Sequence, residues 1–450
     1  MKVNIRFPSF NKVSDLDAMR KRLLKGGLAG LVIKISAGII YFISFALIAK
    51  ASTAEDYGRF VAAFSLALFL GQVSTFGQPK TVLRYLGQYS VKETSSEASG
   101  VFLHTLKTVW RVSLAVAALN AIVWLLLAIF SPDSDQTHML LASLLIIPLA
   151  LAEFLSHALR GLQKLVSAMV PRDIIWRLSI LTMAGYFMII SHSPSATELM
   201  VITSLILAFV CCFQLFMAIR YRNDRFGNEL SFNDQPMWKK TALGQWGLNV
   251  FSTSFPHITT LYVSLFLSAI EASAFFSSIR IVSLLSMPLI AINLVSAPLI
   301  ARYINSGENK KVRNICKISA GLIVPVVAVG ALVIVLSGSQ MLGLFNSDFT
   351  QYDNALIILC ISYTLNALLG PTGSLMQMSG NERIFLKFTV ISNILGLSLL
   401  PILTSEFGLA GASISCLIAS CGWNICVWIW AMKYMNVDSS VFSLFYKQKS

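Results

Sequence analysis

The sequence predicts an all-α integral membrane protein of about twelve transmembrane helices arranged as two repeated halves. Three observations carry that expectation. Of the 450 residues, 56% are hydrophobic and only 12% are charged, whereas a soluble domain carries about 25% charged residues. Apolar runs of 18 residues or more recur along the chain, and each is long enough to cross a bilayer. A pattern at Lys25 to Tyr85 returns at Lys240 to Tyr303. Each copy has a basic start and an apolar helix, then a short turn (Ala54-Glu55-Asp56-Tyr57-Gly58, then Ile270-Glu271-Ala272-Ser273-Ala274). A second apolar helix ends at Pro79 with Arg84-Tyr85, or at Pro298 with Arg302-Tyr303. Repetition of this kind marks a duplicated membrane fold.

The spans are expected near residues 27–50, 58–78, 111–130, 138–160, 171–190, 197–219, 243–267, 271–298, 314–336, 353–378, 384–404 and 409–432. The net charge of +14 would suit a nucleic-acid binder, but its distribution does not. All of the 35 Lys and Arg residues except Lys34, Lys50, Arg59 and Arg280 fall on one side of this span pattern. Such asymmetry is the positive-inside signature, so both termini are expected in the cytoplasm and no nucleic acid is expected as partner. The expected divisions are a cytoplasmic tail 1–26, a six-helix lobe 27–219, a cytoplasmic linker 220–241, a six-helix lobe 242–432 and a tail 433–450. Within the first tail, Phe7, Phe10, Val13 and Leu16 among Lys and Arg suit a short amphipathic piece on the inner leaflet; a solvated tail is the favoured alternative. The first apolar run is too long for a cleavable signal. The seven cysteines follow no metal-ligand spacing and none falls in an external loop. They read as small apolar packing groups, with no metal, cofactor or disulfide expected.

In chain order, the polar residues inside spans are the candidates for function. Lys34 lies roughly 11 Å into span 1 at the helical rise, with Gly30, Gly38 and Tyr41 on its face. It either lines a cargo cavity or snorkels back to headgroups. Glu55 and Asp56 suit the N-terminus of span 2. A catalytic role for them, as in a membrane glycosyltransferase, would call for a large external loop, and the turn is short. His104, Lys107 and Arg111 share a helical face that would rest on the inner headgroups. Glu153 and His157, one turn apart in span 4, are a candidate ion-coupling pair; Glu153 sits about 10 Å from the inner end. A structural ion pair is the rival reading for it. Arg160-Gly161-Leu162-Gln163-Lys164 and Ser379-Gly380-Asn381-Glu382-Arg383 are matching inner turns of the two halves. Span 7 presents Asn249, Thr253, Pro256 and Thr260 on one face, with Ser252 and His257 beside it. Pro256 frees the Ser252 carbonyl, which marks either a gate-like kink or an ordinary packed one. Arg280 in span 8 is roughly 14 Å deep, where an arginine costs about 2.5–3.5 kcal/mol on the most lenient scale. It must therefore point to a cavity or a carboxylate.

Three stretches carry a family resemblance: the opening hairpin with its Ala54-Glu55-Asp56-Tyr57-Gly58 turn and Leu83-Arg84-Tyr85 exit, Leu344-Phe345-Asn346-Ser347-Asp348-Phe349, and Glu406-Phe407-Gly408-Leu409-Ala410-Gly411-Ala412-Ser413. Together these resemble the polysaccharide-export and O-antigen flippases of the multidrug/oligosaccharidyl-lipid/polysaccharide superfamily. Asn346 departs from that pattern, where glycine is common. The resemblance implies two pseudo-symmetric six-helix bundles facing each other around a central cavity. It also implies alternating access in the cytoplasmic (inner) membrane, carrying a polyprenyl-pyrophosphate-linked oligosaccharide to the outer leaflet for lipopolysaccharide, exopolysaccharide or capsule. Membrane lipids and a polysaccharide polymerase are the implied partners, and the chain is complete as a monomer.

The residues agree at one point. The deepest charges, Lys34 and Arg280, are positive, which suits an anionic headgroup. Lys34, Arg280, Asn249, Thr253 and His257 are accordingly the expected cavity residues, with Pro256 at a gate. The alternative is an ion-coupled multidrug exporter of the same superfamily. A membrane glycosyltransferase or polymerase fits less well, and no enzymatic activity is expected. Topology is the first thing to check: an impermeant thiol reagent added outside should label Ser134→Cys and spare Asn228→Cys, and the reverse pattern would invert the assignment.

Overall fold

The computed structural model describes residues 13–89, 95–130, 136–227 and 229–445. Ser134, Asn228 and the first twelve residues, including Phe7 and Phe10, lie outside the described residues, as do the side chains of Val13, Leu16 and Ser252. The described chain is helical throughout. In order the helices are α1 (Val13–Ala51), α2 (Ala54–Ser74), α3 (Gln78–Gln88), α4 (Ser95–Phe130), α5 (Thr137–Gly161), α6 (Leu165–Met169), α7 (Trp176–Ile189) and α8 (Ala196–Phe226). The second half has α9 (Gln235–Thr253), α10 (Phe255–Phe266), α11 (Ala269–Ser283), α12 (Met287–Asn305), α13 (Asn309–Gly343), α14 (Asp353–Leu368), α15 (Thr372–Met378) and α16 (Glu382–Trp430). A π-helical turn, Val170–Ile175, joins α6 to α7.

By length and apolarity, eight of the described helices can cross a membrane, or nine if the bent pair at Ser347–Leu368 and Thr372–Met378 is one span. The chain is a multi-pass membrane protein. Each of the twelve expected spans falls on helix, but the boundaries differ where breaks occur. Span 5 begins earlier, at Leu165, and passes through the π turn. Span 7 begins at Gln235 and breaks at Ser254, one residue before the Phe255-Pro256 start of α10. Span 8 runs on to Asn305 through a 3-10 turn. The last segment is too long for one crossing, and it breaks at Gly408 (φ 54, ψ −133). A side chain there would be strained. Just beyond, a Cβ on Gly411 would lie 1.9 Å from the Leu403 carbonyl oxygen. The Gly408 and Gly411 stretch thus closes a tight hairpin that larger residues would open.

The repeated hairpins match in their caps. Thr53 accepts from the Asp56 amide at the start of α2, and Ser268 accepts from the Glu271 amide at the start of α11. Each satisfies an otherwise orphan donor at a helix start. They differ at the far prolines. Pro79 opens a separate amphipathic helix, α3, after a left-handed Gly77, whereas Pro298 sits inside continuous α12. Among the described residues, α3 and the first turns of α4 follow this hairpin. His104 points away from headgroups: it meets Gln235 at 3.1 Å and the Trp238 ring, while Lys107 and Arg111 are exposed.

The two hairpins pack against each other. A Cβ on Gly58 would meet the Ala269 carbonyl oxygen at 1.9 Å, and Ser273 Oγ donates to Ala54 O at 2.9 Å. Around this seam lies an aromatic core from both halves: Phe45 and Phe64 against Phe276, Phe60 against Phe45 and Phe64, and Tyr57 stacked on Phe349. Offset and edge contacts of this kind add about 0.5–1.5 kcal/mol per pair beyond area burial. Close backbone approach at a small residue is what holds helices together in lipid, where no hydrophobic force separates helix from solvent. Gly58→Ala should therefore lower stability by about 1–3 kcal/mol. Gly87→Ala, which meets nothing within 4 Å, should be neutral or mildly stabilising. Thermal unfolding in detergent compares the two, and equal midpoints would remove the seam from the account.

Candidate functional site

Two partly open cavities are lined in part by residues of α9 and α10. The central one, about 220 Å³, is walled by Tyr41 of α1, Leu68 of α2, Leu149 and Ala152 of α5, and Leu207 of α8. Arg172, Trp176 and Arg177 reach it from the π turn and α7, and the second half contributes His257 and Arg280. The second cavity, about 190 Å³, lies within the second half and is lined by Phe251, Phe255, Pro256, Tyr363, Asn393 and Trp423 among others.

Arg280 is held by rings. Its Cζ lies 4.1 Å from the Phe276 centroid, 4.6 Å from Tyr41 and 5.6 Å from Phe45. Among the described residues it has no carboxylate within ion-pair distance. A desolvated cation–π contact is worth about 2 kcal/mol or more, the same order as the insertion cost of an arginine. The cage can therefore keep the guanidinium charged without an acid. Arg177 approaches the same Tyr41 ring, also at 4.6 Å. The Nε of Arg177, the Nε of Arg280 and the indole Nε1 of Trp176 are all buried without a hydrogen-bond partner. Each orphan costs about 1–3 kcal/mol. All three are N–H donors on residues that wall the central cavity, and the two guanidinium groups make that wall positive.

The acids near this cavity are already paired. Glu153 Oε2 meets Arg172 at 2.5 Å, and its other oxygen lies 3.4 Å from His157 Nδ1. His157 Nδ1 also lies 2.9 Å from the Glu153 carbonyl oxygen. Lys34 Nζ bonds Asp173 Oδ2 at 2.7 Å, and the lysine side chain keeps 43% of its exposure against 5% for the aspartate. The π turn explains this arrangement. One extra residue per turn shifts the register, so that Arg172 and Asp173 serve neighbours on α5 and α1 while Arg177 reaches the cavity.

Of the expected cavity residues, the structure places Arg280 and His257 in the wall. Lys34 is ion-paired to Asp173 and does not line the central cavity. Thr253 is exposed, and its hydroxyl bonds back to Asn249 O at 2.8 Å; neither residue lines either cavity, and Asn249 is buried. Span 7 is divided at Ser254, with Asn249 and Thr253 on α9 and Pro256 and His257 on α10. Pro256 lies at that break and lines the second-half cavity. Glu153 and His157 are adjacent, as the one-turn spacing requires. Arg172, Trp176 and Arg177 went unrecognised because the two arginines count with the basic end of span 5. Two arginines five residues apart within an apolar run were the available signal. Among the described residues, no group of three or more His, Cys, Asp or Glu could hold a metal.

These features define a multi-pass helical protein with a cationic cavity between the halves of its sequence. Residues 248–402 match the MatE family model. The whole chain resembles the inward-facing conformation of a multidrug resistance MATE family transporter of the MOP superfamily (TM-score 0.69, 15% identity, 90% of this chain and 97% of that one). It also resembles the MATE multidrug transporter DinF-BH in complex with R6G (TM-score 0.66, 15% identity, 98% and 100% of the chains). Against an outward-facing conformation of a MATE family transporter the TM-score is 0.59, with 16% identity over 91% and 94% of the chains. The chain thus has the MATE transporter fold. No curated protein matches it. Neither match singles out polysaccharide export.

The Arg172–Glu153 pair makes a separate prediction. Glu153→Gln should destabilise by about 2–3 kcal/mol, below the ~3–5 of a fully sealed pair because Arg172 is partly exposed. Adding Arg172→Gln should return part of that loss. Thermal midpoints of the single and double variants give the coupling, and simple additivity would show that the pair contributes nothing.

Proposed function

We propose that the chain is an alternating-access transporter, not an enzyme, that exports an amphipathic cargo bearing a negative charge through the cavity beneath Arg280. Transport is supported by the MATE fold and by the partial family match. The sign of the cargo rests on one observation: three arginines, Arg172, Arg177 and Arg280, line a cavity whose nearby acids are paired, and two of them carry an unpartnered Nε. The likeness to multidrug transporters favours a multidrug exporter over a flippase of polyprenyl-pyrophosphate-linked oligosaccharide.

The flippase is the second reading, and the cavity's charge is what favours it. The pyrophosphate of such a lipid would occupy the donors while its tail stays in the bilayer. In either reading the chain works as a monomer in the cytoplasmic membrane with both termini inside, as two six-helix lobes. Glu153 with His157 is the proposed ion-coupling pair. Its carboxylate would release Arg172 on protonation.

Proteoliposomes test the charge. Arg280→Ala and Arg177→Ala should insert normally and should slow transport of an anionic amphiphile about 10- to 100-fold, the loss expected for one charge-assisted hydrogen bond. A fluorescent polyprenyl pyrophosphate and an anionic dye, run in parallel, separate flippase from exporter. If a cationic dye is carried well and neither arginine affects it, the anionic cargo is wrong.

A further inference from the structure

The segment joining the two halves is bolted to the first. Ser231 N donates to Ser96 O at 3.0 Å, and a Cβ on Gly100 would lie 1.8 Å from Ser231 O. Gln235 Nε2 donates to His104 Nδ1 at 3.1 Å. Tyr89 donates its hydroxyl proton to Asp234 at 2.5 Å and accepts from Trp238 Nε1 at 3.1 Å, with Trp238 fully buried. Tyr85 and Thr241 share a hydrogen bond at 3.1 Å. A Cβ on Gly77 would meet Ala242 O at 1.9 Å, and Trp246 Nε1 donates to Val73 O at 2.9 Å. All of these partners lie on α2, α3 and α4 or at the two ends of α3, in the first half.

A few residues further on the allegiance changes. Phe251 O accepts from Asn393 Nδ2. The Phe255 ring lies against Gly396, where a Cβ would meet it at 2.8 Å, and Cys416 Sγ donates to Thr259 Oγ1 at 3.7 Å. Asn393, Gly396 and Cys416 all belong to α16. Between Trp246 and Phe251 the anchoring bonds pass from first-half to second-half partners inside a single span, while α10 still packs on α2 across the seam. The α9–α10 break follows at Ser254, and the second-half cavity lies against Phe251, Phe255 and Pro256. Packed interiors move only where they have alternative arrangements or empty volume. Here both the missing backbone bond and the space occur together.

We propose that residues 229–246 travel with the first half as one rigid body, and that the covalent hinge between the moving halves is residues 247–256 within span 7, not the linker. The inference rests on the alternating-access reading, but it makes no use of the cargo. A strap held by side-chain bonds on three helices cannot flex independently. Bending at 247–256 breaks none of those bonds, because Gly247 and the proline break carry the change.

Spin labels test this in lipid nanodiscs, in a background without the native cysteines. Lys240→Cys is paired with Gln88→Cys in the first half and with Arg383→Cys in the second; all three native side chains are exposed. Gly58→Trp is then added to force the seam between α2 and α11 apart. The Lys240–Gln88 distance should stay single and unchanged, and the Lys240–Arg383 distance should shift. A shift in the first distance, or none in the second, overturns the proposal. Both readouts are independent of whether anions are carried, so a failure here and a failure of the cargo assignment are distinct results.

Discussion

The constraint on which this structure turns is a guanidinium near the middle of a membrane protein, with no acid in contact among the described residues. Arg280 keeps its charge because Phe276, Tyr41 and Phe45 surround it. Those rings belong to both halves, so the cage exists only when α1 and α11 are packed together. The same aromatic core continues through Phe60 and Phe64 and is brought close by the Gly58–Ala269 approach. One small residue at a seam thus lets the rings meet. The rings let an arginine stay charged, and the arginine gives the cavity its sign. Disturbing the seam should disturb the charge, which is how a transporter of this architecture can link conformation to affinity for its cargo.

The paired charges follow a second logic. Lys34 with Asp173 and Arg172 with Glu153 tie the π turn to α1 and α5. Paired in this way they add little to the net field of the cavity. They fix the turn that aims Arg177 and Trp176 inward. A half-satisfied polar network is costlier than an apolar core unless something completes it. The unpartnered Nε atoms of Arg177 and Arg280 and the Trp176 indole are the unfinished part of that network.

Much of this was legible in the sequence. Low charge and apolar runs gave the fold class. The depth of Arg280, the acid at 153 and the proline at 256 could be read from helical rise alone. What could not be read was partnership. Lys34 and Asp173 are far apart in the chain, and no local pattern joins them. Arg172 and Arg177 looked like part of the basic end because hydropathy does not register a π turn, and an inserted residue changes which face an arginine occupies. The polar face expected across span 7 is shared out instead: His257 lines the central cavity, Pro256 the second-half one, and Thr253 is exposed. The linker looked like a tether because its polar composition resembles a loop. Its hydrogen bonds to α3 and α4 are long-range and invisible to composition.

The central claim, that the cavity seats an anion, is tested most directly by binding. Inorganic pyrophosphate added to the detergent-solubilised protein should raise its unfolding midpoint in a concentration-dependent way, since a ligand bound only by the folded state stabilises by mass action. The rise should be lost in Arg280→Gln. Stabilisation of that variant equal to the parent's, or stabilisation of the parent by a tetraalkylammonium cation and not by pyrophosphate, would contradict the account.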